Sequence, residues 1–195
     1  MKSYGKATAM LKEFEGSVPY MYLDTRGLVT VGVGHMIPSA ADAKKLKFFH
    51  RKGRKHATPD EIATEYDRVD AMDQGHAASF YGPSAQLEMH QHEITSLLMH
   101  QIRGFETKLK ANFPQFDTYP EDAQLGLLDM AYNLGTSKLI SSFPTFCKAV
   151  KARDWKTAAA ECHRNGPSDE RNNKVKQLFL NSAKLDQPHK TVKLT

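Results

Sequence analysis

The chain has 195 residues, of which 40% are hydrophobic and 25% are charged, an ordinary composition for a globular protein. Lysine and arginine outnumber the acids by 27 to 22, so the formal net charge is +5. A basic surface favours a polyanionic partner: nucleic acid, anionic lipid or a cell-wall polymer. The apolar runs are too short for a transmembrane helix, so we expect no stable membrane insertion.

A helix followed by a β-hairpin is predicted at the start of the chain. The helix is indicated by an apolar stripe at three- and four-residue spacing, formed by Tyr4, Ala7, Leu11 and Phe14. Gly16 is a natural stop for this helix. Residues 18–22 alternate, residues 24–27 supply turn chemistry, and residues 28–34 form a second alternating, β-branched run. These segments predict two antiparallel strands.

The register of this hairpin decides which side chains share a face. With the turn centred on residue 26, Tyr22 opposes Thr30, and Asp24 lies on the same face because side chains alternate with a period of two. That face also holds Gly32 and Gly34. We therefore expect it to be nearly bare and open to close approach by a ligand.

Helices dominate the remaining sequence. Residues 36–57 are polar and basic, and a capping box with proline at the first helical position then opens a helix at 58–61. Trp155 is expected to pack in the core between helices, and the polar tail from Lys184 is expected to be frayed. Apolar periodicity and capping residues predict further helices near 94–109, 120–131, 143–151, 154–163 and 175–179.

A single α+β domain covering residues 1–195 is the predicted organisation. Its N-terminal lobe, residues 1–57, holds the first helix and the sheet, and residues 58–195 form a predominantly helical lobe. Residues 74–92 contain glycine and proline and are predicted to be a polar surface loop or insertion. Clefts often form where two such lobes meet.

Three residues among the first 30 could perform acid–base chemistry. Glu15 lies in the last turn of the predicted helix, where the helix macrodipole and the apolar neighbours Phe14 and Val18 favour the neutral acid. Each candidate also has an ordinary interpretation: a solvated helix-end glutamate, a turn aspartate at Asp24, and an edge-strand threonine at Thr30. A proton donor, an ionised carboxylate and a hydroxyl beside an open face suit the hydrolysis of a glycosidic bond.

Three segments in fixed register carry a resemblance: EG at 15–16, YLDTRG at 22–27 and TVGVGH at 30–35. They resemble the phage-type lysozyme (endolysin, N-acetylmuramidase) family, whose catalytic Glu, Asp and Thr have the same spacing of nine and then six residues. The segment DMAYNLG at 129–135 is also similar to members of this family. The resemblance implies a lysozyme-like fold with a small N-terminal lobe containing an antiparallel sheet, a helical C-terminal lobe and a peptidoglycan cleft between them.

The resemblance also implies roles for individual residues. Glu15 becomes the general acid, and Asp24 orients or deprotonates the attacking water with help from Thr30. His35 becomes a structural, ion-paired histidine, and Arg171 approaches Glu15 and holds it in place. The chemistry needs no cofactor and no metal. Substrate contacts are expected from Tyr22, Gly34, Met36 and Asn133.

The implied reaction is hydrolysis of the β-1,4 bond between N-acetylmuramic acid and N-acetylglucosamine in bacterial peptidoglycan. Inversion at the anomeric carbon is expected because Thr30 occupies the place where a retaining enzyme needs a second close carboxylate. Two alternatives stay open. One is a lytic transglycosylase, which uses one acid and no water, and the other is a non-catalytic peptidoglycan-binding module.

Histidines, cysteines and a basic run receive structural interpretations. Four histidines lie in or near the predicted insertion: His76, His90, His92 and His100. A metal site is the weaker interpretation, because residues two apart, such as His90 and His92, do not share a helix face.

Cys147 and Cys162 are expected to be unpaired thiols, unless an oxidising periplasm bridges them. The basic run at 44–55 indicates a solvated face attracted to anionic wall polymer, and no nucleic-acid-binding motif accompanies it.

The biological setting is left open by the sequence. No signal peptide is visible, so an enzyme made in the cytoplasm would need a separate device to reach the wall. A phage endolysin uses a holin, whereas the lysozyme domain of a secreted antibacterial effector is carried by a secretion system. An effector would have an immunity protein as a further partner. In either setting we expect a monomer that acts on peptidoglycan.

Overall fold

The computed structural model describes residues 1–53 and 55–186 of the chain. These residues form a mixed α+β fold in which helices predominate and two small antiparallel sheets lie in the N-terminal half, as predicted. None of the helices in these two ranges is long and apolar enough to cross a membrane. The polar tail is still helical at Lys184, and the part of it that follows Asp186 lies outside the described residues.

The chain divides into two compact units. The first is formed by Thr8–Gln101, and the second by Met1–Ala7 together with Ile102–Thr195. The chain passes between the units within two helices, α1 (Tyr4–Glu15) and α5 (Gln91–Asn112). The unit that contains the sheets therefore extends well beyond the lobe boundary predicted at residue 57.

The first unit contains both sheets. Its strands are β1 (Val18–Leu23), β2 (Val29–Gly32), β3 (His35–Met36), β4 (Phe49–His50) and β5 (Leu87–Glu88). Its short helices are α2 (Ala40–Ala43), α3 (Pro59–Asp70) and α4 (Ala78–Tyr81), followed by a 3-10 turn at Gly82–Ser84. Strands β1, β2 and β3 pair in that order, and β4 pairs with β5. Strand β2 is thus the central strand of the larger sheet.

The second predicted strand ends earlier than its alternating pattern suggests. Strand β2 stops at Gly32, because Gly32 and Gly34 adopt left-handed φ angles of 66° and 65°. The chain turns there and returns as β3. Val29 and Val31 remain fully buried on one side of the sheet, as the pattern predicts.

Residues 74–92, predicted as a polar surface loop or insertion, are packed into the first unit. Tyr81, Leu87 and Met89 are buried, and the Met89 N–H donates to the Pro19 carbonyl at 2.6 Å. Helix α4 packs against β1, and α3 packs against β1 and β2. The loop prediction is wrong because a short helix, a 3-10 turn and β5 form here, and the buried apolar residues Tyr81, Leu87 and Met89 are too few to show a period in the sequence.

The second unit is helical. It contains α6 (Glu121–Leu134), α7 (Thr136–Ser142), α8 (Pro144–Lys151), α9 (Trp155–Glu161) and α10 (Asp169–Leu185), preceded by a 3-10 turn at Phe116–Thr118. Helix α10 packs against α6 and α9. Trp155 is buried, its ring stacks near Phe179, and its Nε1 donates to Asp186 at 2.7 Å. The core position predicted for Trp155 is confirmed.

The basic run at 44–55 is largely compensated by acids. Three of its lysines form ion pairs: Lys44 with Asp60 at 2.8 Å, Lys45 with Asp42 at 2.7 Å and Lys47 with Glu93 at 3.2 Å. Arg54 lies outside the described residues. Because neighbouring carboxylates neutralise much of this charge, the run attracts an anionic polymer less strongly than its sequence suggests.

Candidate active site

Glu15 is the last residue of α1. Gly16, with φ of 73°, ends the helix, and its N–H donates to the Lys12 carbonyl at 3.1 Å. Glu15 is exposed, although its sequence neighbours Phe14 and Val18 were expected to give it apolar surroundings. Its position at the negative end of the helix macrodipole is as expected.

Asp24 is held by the turn that follows β1. Its Oδ1 accepts hydrogen bonds from the N–H groups of Arg26 at 2.8 Å and Leu28 at 3.0 Å, and the Arg26 guanidinium lies 3.2 Å from Oδ2. Partial burial raises the pKa of the carboxyl, but these hydrogen bonds and the Arg26 charge outweigh it. The pKa of Asp24 consequently lies below its ordinary value. The contacts that make Asp24 a turn residue thus also keep it ionised.

Tyr22 lies on β1, two residues before Asp24. It lies directly opposite Thr30 across β1 and β2, which is the predicted register. Burial, followed by the negative charges of Asp24 and Glu15, raises the pKa of the Tyr22 phenol. The phenol therefore lies within electrostatic range of both carboxylates. The prediction that Glu15, Asp24 and Thr30 form one catalytic site stays a prediction.

Thr30 is not on an open face. It is 2% exposed, and its hydroxyl donates to the Leu28 carbonyl at 3.0 Å. Ile94 covers Gly32 so closely that a Cβ there would lie 3.3 Å from Ile94 Cγ2. The bare-face prediction is wrong here, because a period of two shows which residues share a face and not what packs on it.

Three of the predicted substrate-contacting residues are exposed, two of them beside the hairpin and one in the second unit. Gly34 has open space where a Cβ would be, and Met36, opposite Thr30, is 39% exposed. Both present free surface beside the hairpin. Asn133 is also exposed, near the end of α6 in the second unit.

His35 has no ion-pair partner in the part of the chain that the structure describes. Burial and the charge of His100 lower the pKa of its imidazole. A contacting carboxylate would raise that pKa, so the predicted ion pair is wrong. The residue pairs with Val31 in the sheet, which supports a structural role.

A buried ion-pair cluster lies in the second unit. Arg171 Nη2 is 2.8 Å from Asp129 Oδ1, and Arg164 Nη2 is 2.8 Å from Asp129 Oδ2, an ion pair without hydrogen-bond geometry. All three residues are at most 6% exposed. Asp129 and Arg164 were not predicted to pair, although a charge within the apolar stretch of α6 is a signal of pairing. The predicted contact of Arg171 with Glu15 stays a prediction.

Both cysteines are free thiols. Cys147 and Cys162 are buried, and burial raises the pKa of each thiol. The redox state of the two thiols in an oxidising compartment stays a prediction. His90, in the segment considered for metal binding, stacks on Phe49 with ring centroids 3.6 Å apart. Across residues 1–53 and 55–186, no group of three or more His, Cys, Asp or Glu side chains could hold a metal ion.

Comparison with known proteins identifies the family. A model of the phage lysozyme family matches residues 12–179, and the chain therefore belongs to the phage lysozyme family. The fold is similar to that of P22 lysozyme: a crystal structure of a mutant has a TM-score of 0.56 and 17% identity, and the match covers 92% of this chain and 99% of that chain. None of the curated proteins compared matches significantly. Membership places the chain among lysozyme-type glycoside hydrolases, which lyse peptidoglycan.

Proposed function

We propose that the chain hydrolyses the β-1,4 bond between N-acetylmuramic acid and N-acetylglucosamine, with Glu15 as the general acid and Asp24 as the residue that positions water. The environment of Asp24 carries the proposal. Its carboxylate is fixed by two backbone N–H groups and has a lowered pKa. Burial and then the negative charges of Asp24 and Glu15 raise the pKa of the Tyr22 phenol, which supports placing the proposed proton donor and the fixed anion near one side chain.

The lowered pKa of Asp24 indicates which catalytic role its carboxylate can take. A carboxylate with a pKa below its ordinary value is a weak base at neutral pH. We assign Asp24 to orienting the water and stabilising positive charge at the anomeric carbon, with proton uptake late in the step. Glu15 gives its proton to the leaving glycosidic oxygen, the water oxygen bonds to the anomeric carbon, and the proton released by water passes to Asp24.

Thr30 supports the water through its oxygen. Although Thr30 is only 2% exposed, its hydroxyl hydrogen is donated to the Leu28 carbonyl, so the proposal needs only one lone pair of Oγ1 to accept the second hydrogen of the water. A water between the anomeric carbon and Asp24 leads to inversion, for which the two carboxyls should be about 6.5–9.5 Å apart. Tyr22, Gly34 and Met36 are proposed to contact the sugars beside the hairpin. The roles predicted for Asn133 and Arg171 stay predictions.

Digestion of purified sacculi tests this function. Wild-type protein should release muropeptides with reducing ends, and an NMR time course should show the inverted anomer first. Glu15→Gln should lower the cleavage rate by about 10²–10⁴-fold, whereas Glu13→Gln, an exposed glutamate on the same helix, should cleave normally.

Other products would contradict the proposal in distinct ways. Anhydro-muropeptides would identify a lytic transglycosylase. Binding to sacculi without any cleavage would identify a binding module. A first-formed anomer with retained configuration would refute the water-positioning role of Asp24. The two delivery routes, the immunity partner and the monomeric state are proposals that these experiments do not address.

A further inference from the structure

Two aromatic rings stack on each other at the surface of the first unit. The ring centroids of His76 and Phe80 are 3.9 Å apart, and their planes are inclined by 16°. Both residues are exposed, Phe80 by 45%. Within residues 1–53 and 55–186, four large hydrophobic side chains are at least 38% exposed, and Phe80 is the one aromatic among them. An exposed phenylalanine that is already stacked offers a preformed apolar surface.

The loop before these rings contacts the catalytic hairpin. The side-chain amide of Gln74 lies against Gly27 so closely that a Cβ at Gly27 would clash with it. Gly27 has φ of 73° and belongs to the turn that holds Asp24. The segment carrying the two rings is therefore anchored beside the turn that carries the proposed catalytic carboxylate.

Buried contacts fix the rings in place. Tyr81, next to Phe80, is fully buried, and its hydroxyl donates to the Asp73 carbonyl at 2.8 Å, which closes the loop. The Phe80 ring meets the Tyr81 ring edge-on, with centroids 5.2 Å apart. Helix α4, which carries both, packs against β1. The exposed rings are thus held by the sheet that carries Asp24 at its end.

The chemistry of the pair favours a sugar ring. A pyranose presents a face of C–H groups, which packs on the electron-rich face of an aromatic ring. The segment 73–80 contains no lysine or arginine, so it has no cation to recognise an anionic stem peptide. A glycan strand continues on both sides of the bond being cleaved, and the segment 73–80 adjoins the hairpin turn through the contact of Gln74 with Gly27.

We propose that His76 and Phe80 form an accessory glycan platform, which stacks a sugar of the peptidoglycan strand outside the catalytic hairpin. This proposal rests on the proposed function and adds a binding subsite to it. The platform contributes to the affinity for long strands and takes no part in the bond cleavage. Its loss therefore raises KM for long strands and leaves kcat unchanged.

Binding and cleavage of peptide-free glycan strands, prepared from sacculi with an amidase and sorted by length, test the platform. Phe80→Ala and His76→Ala should each weaken binding of long strands by about three- to tenfold and should not change binding of a tetrasaccharide. Phe80→Trp should restore the affinity. Leu185→Ala, which removes a side chain that is 73% exposed in the second unit, should behave as the wild type.

The outcomes separate the platform from the catalytic function. Unchanged affinity for long strands in both alanine variants would overturn the platform and leave the hydrolase intact if the wild type cleaves. Equal losses for long strands and the tetrasaccharide would also overturn it. If the alanine variants lose affinity only for long strands, and the wild type binds strands without cleaving them, the platform is supported and the hydrolase is refuted. Failure of the wild type to bind any strand would refute both.

Discussion

Tyr22 and Thr30 lie directly opposite each other across strands β1 and β2. Two residues beyond Tyr22, the Asp24 N–H donates to the Leu28 carbonyl at 3.0 Å, and the Asp24 carboxylate accepts the Leu28 N–H in return. A slip of one residue would move Tyr22 to the other face of the sheet. These turn contacts oppose that slip, so Asp24 both maintains the register of the hairpin and supplies its negative charge.

Substitution of Asp24 by asparagine separates these two roles. In Asp24→Asn the side-chain oxygen still accepts the N–H groups of Arg26 and Leu28, so the hairpin should form, but the charge is lost. We expect clearing of purified sacculi to slow by about 10²–10⁴-fold, with a thermal unfolding midpoint close to that of the wild type. Asp42→Asn, at another ion-paired aspartate of the first unit, should clear sacculi normally. Wild-type clearing by Asp24→Asn would disprove the assigned role.

Asp129 is expected to be essential for the stability of the second unit. Asp129→Asn would leave the buried guanidinium groups of Arg164 and Arg171 without a counter-charge, which should cost about 3–5 kcal/mol of unfolding free energy. Urea denaturation measures this cost. Asp169→Asn, an exposed aspartate in the same unit, should change stability by less than about 1 kcal/mol. A loss below 1 kcal/mol in Asp129→Asn would show that the cluster is not needed.

Two glycines in helices should respond in opposite ways to alanine. A Cβ at Gly126 in α6 would lie 2.7 Å from Phe179 Cζ, so Gly126→Ala should destabilise the protein by about 1–3 kcal/mol. Gly104 in α5 is exposed and has open space, so Gly104→Ala should stabilise it by about 0.5–1 kcal/mol. Denaturant midpoints with unchanged slopes provide the comparison. If both substitutions changed the free energy of unfolding in the same direction, the packing described for Gly126 and Gly104 would be contradicted.

Glu106 should account for part of the loss of folding stability at acidic pH. Burial raises its pKa, but hydrogen bonds from the Met1 amino group, Tyr4 and Lys110 outweigh this and lower it from 4.5 to about 2. Because the folded-state pKa is the lower one, the stabilisation is present above pH 4.5 and is lost as the pH falls towards about 2.

The variant Glu106→Gln tests this linkage. It should be less stable than the wild type at neutral pH, and the difference should shrink as the pH falls through that window. Urea unfolding at a series of pH values measures the difference. Glu161→Gln, at an exposed glutamate of the same unit, should unfold like the wild type throughout. A destabilisation by Glu106→Gln that is constant with pH would rule out the ionised carboxylate as its cause.

The elements that were predicted correctly are determined by interactions between residues close in sequence. Helix α1 covers the predicted stripe and ends before Gly16, and the capping box of α3 forms between Thr58 and Glu61. The hairpin register follows from turn chemistry and alternation over a dozen residues. The motif that identified the family lies in this same local stretch, which explains why the family and the candidate triad were accessible without a structure.

Other features depend on contacts between distant segments, which no local pattern contains. Ile94 covers Gly32, and residues 74–92 join the sheet unit through β5 and Tyr81. Asp129 finds its arginines 35 and 42 residues away. The sequence by itself thus determined the hairpin, its charged residues and the family, because periodicity and turn chemistry act over a few residues. The tertiary structure decided which surfaces are covered and which charges are neutralised, because burial and ion pairing depend on the segments that pack together.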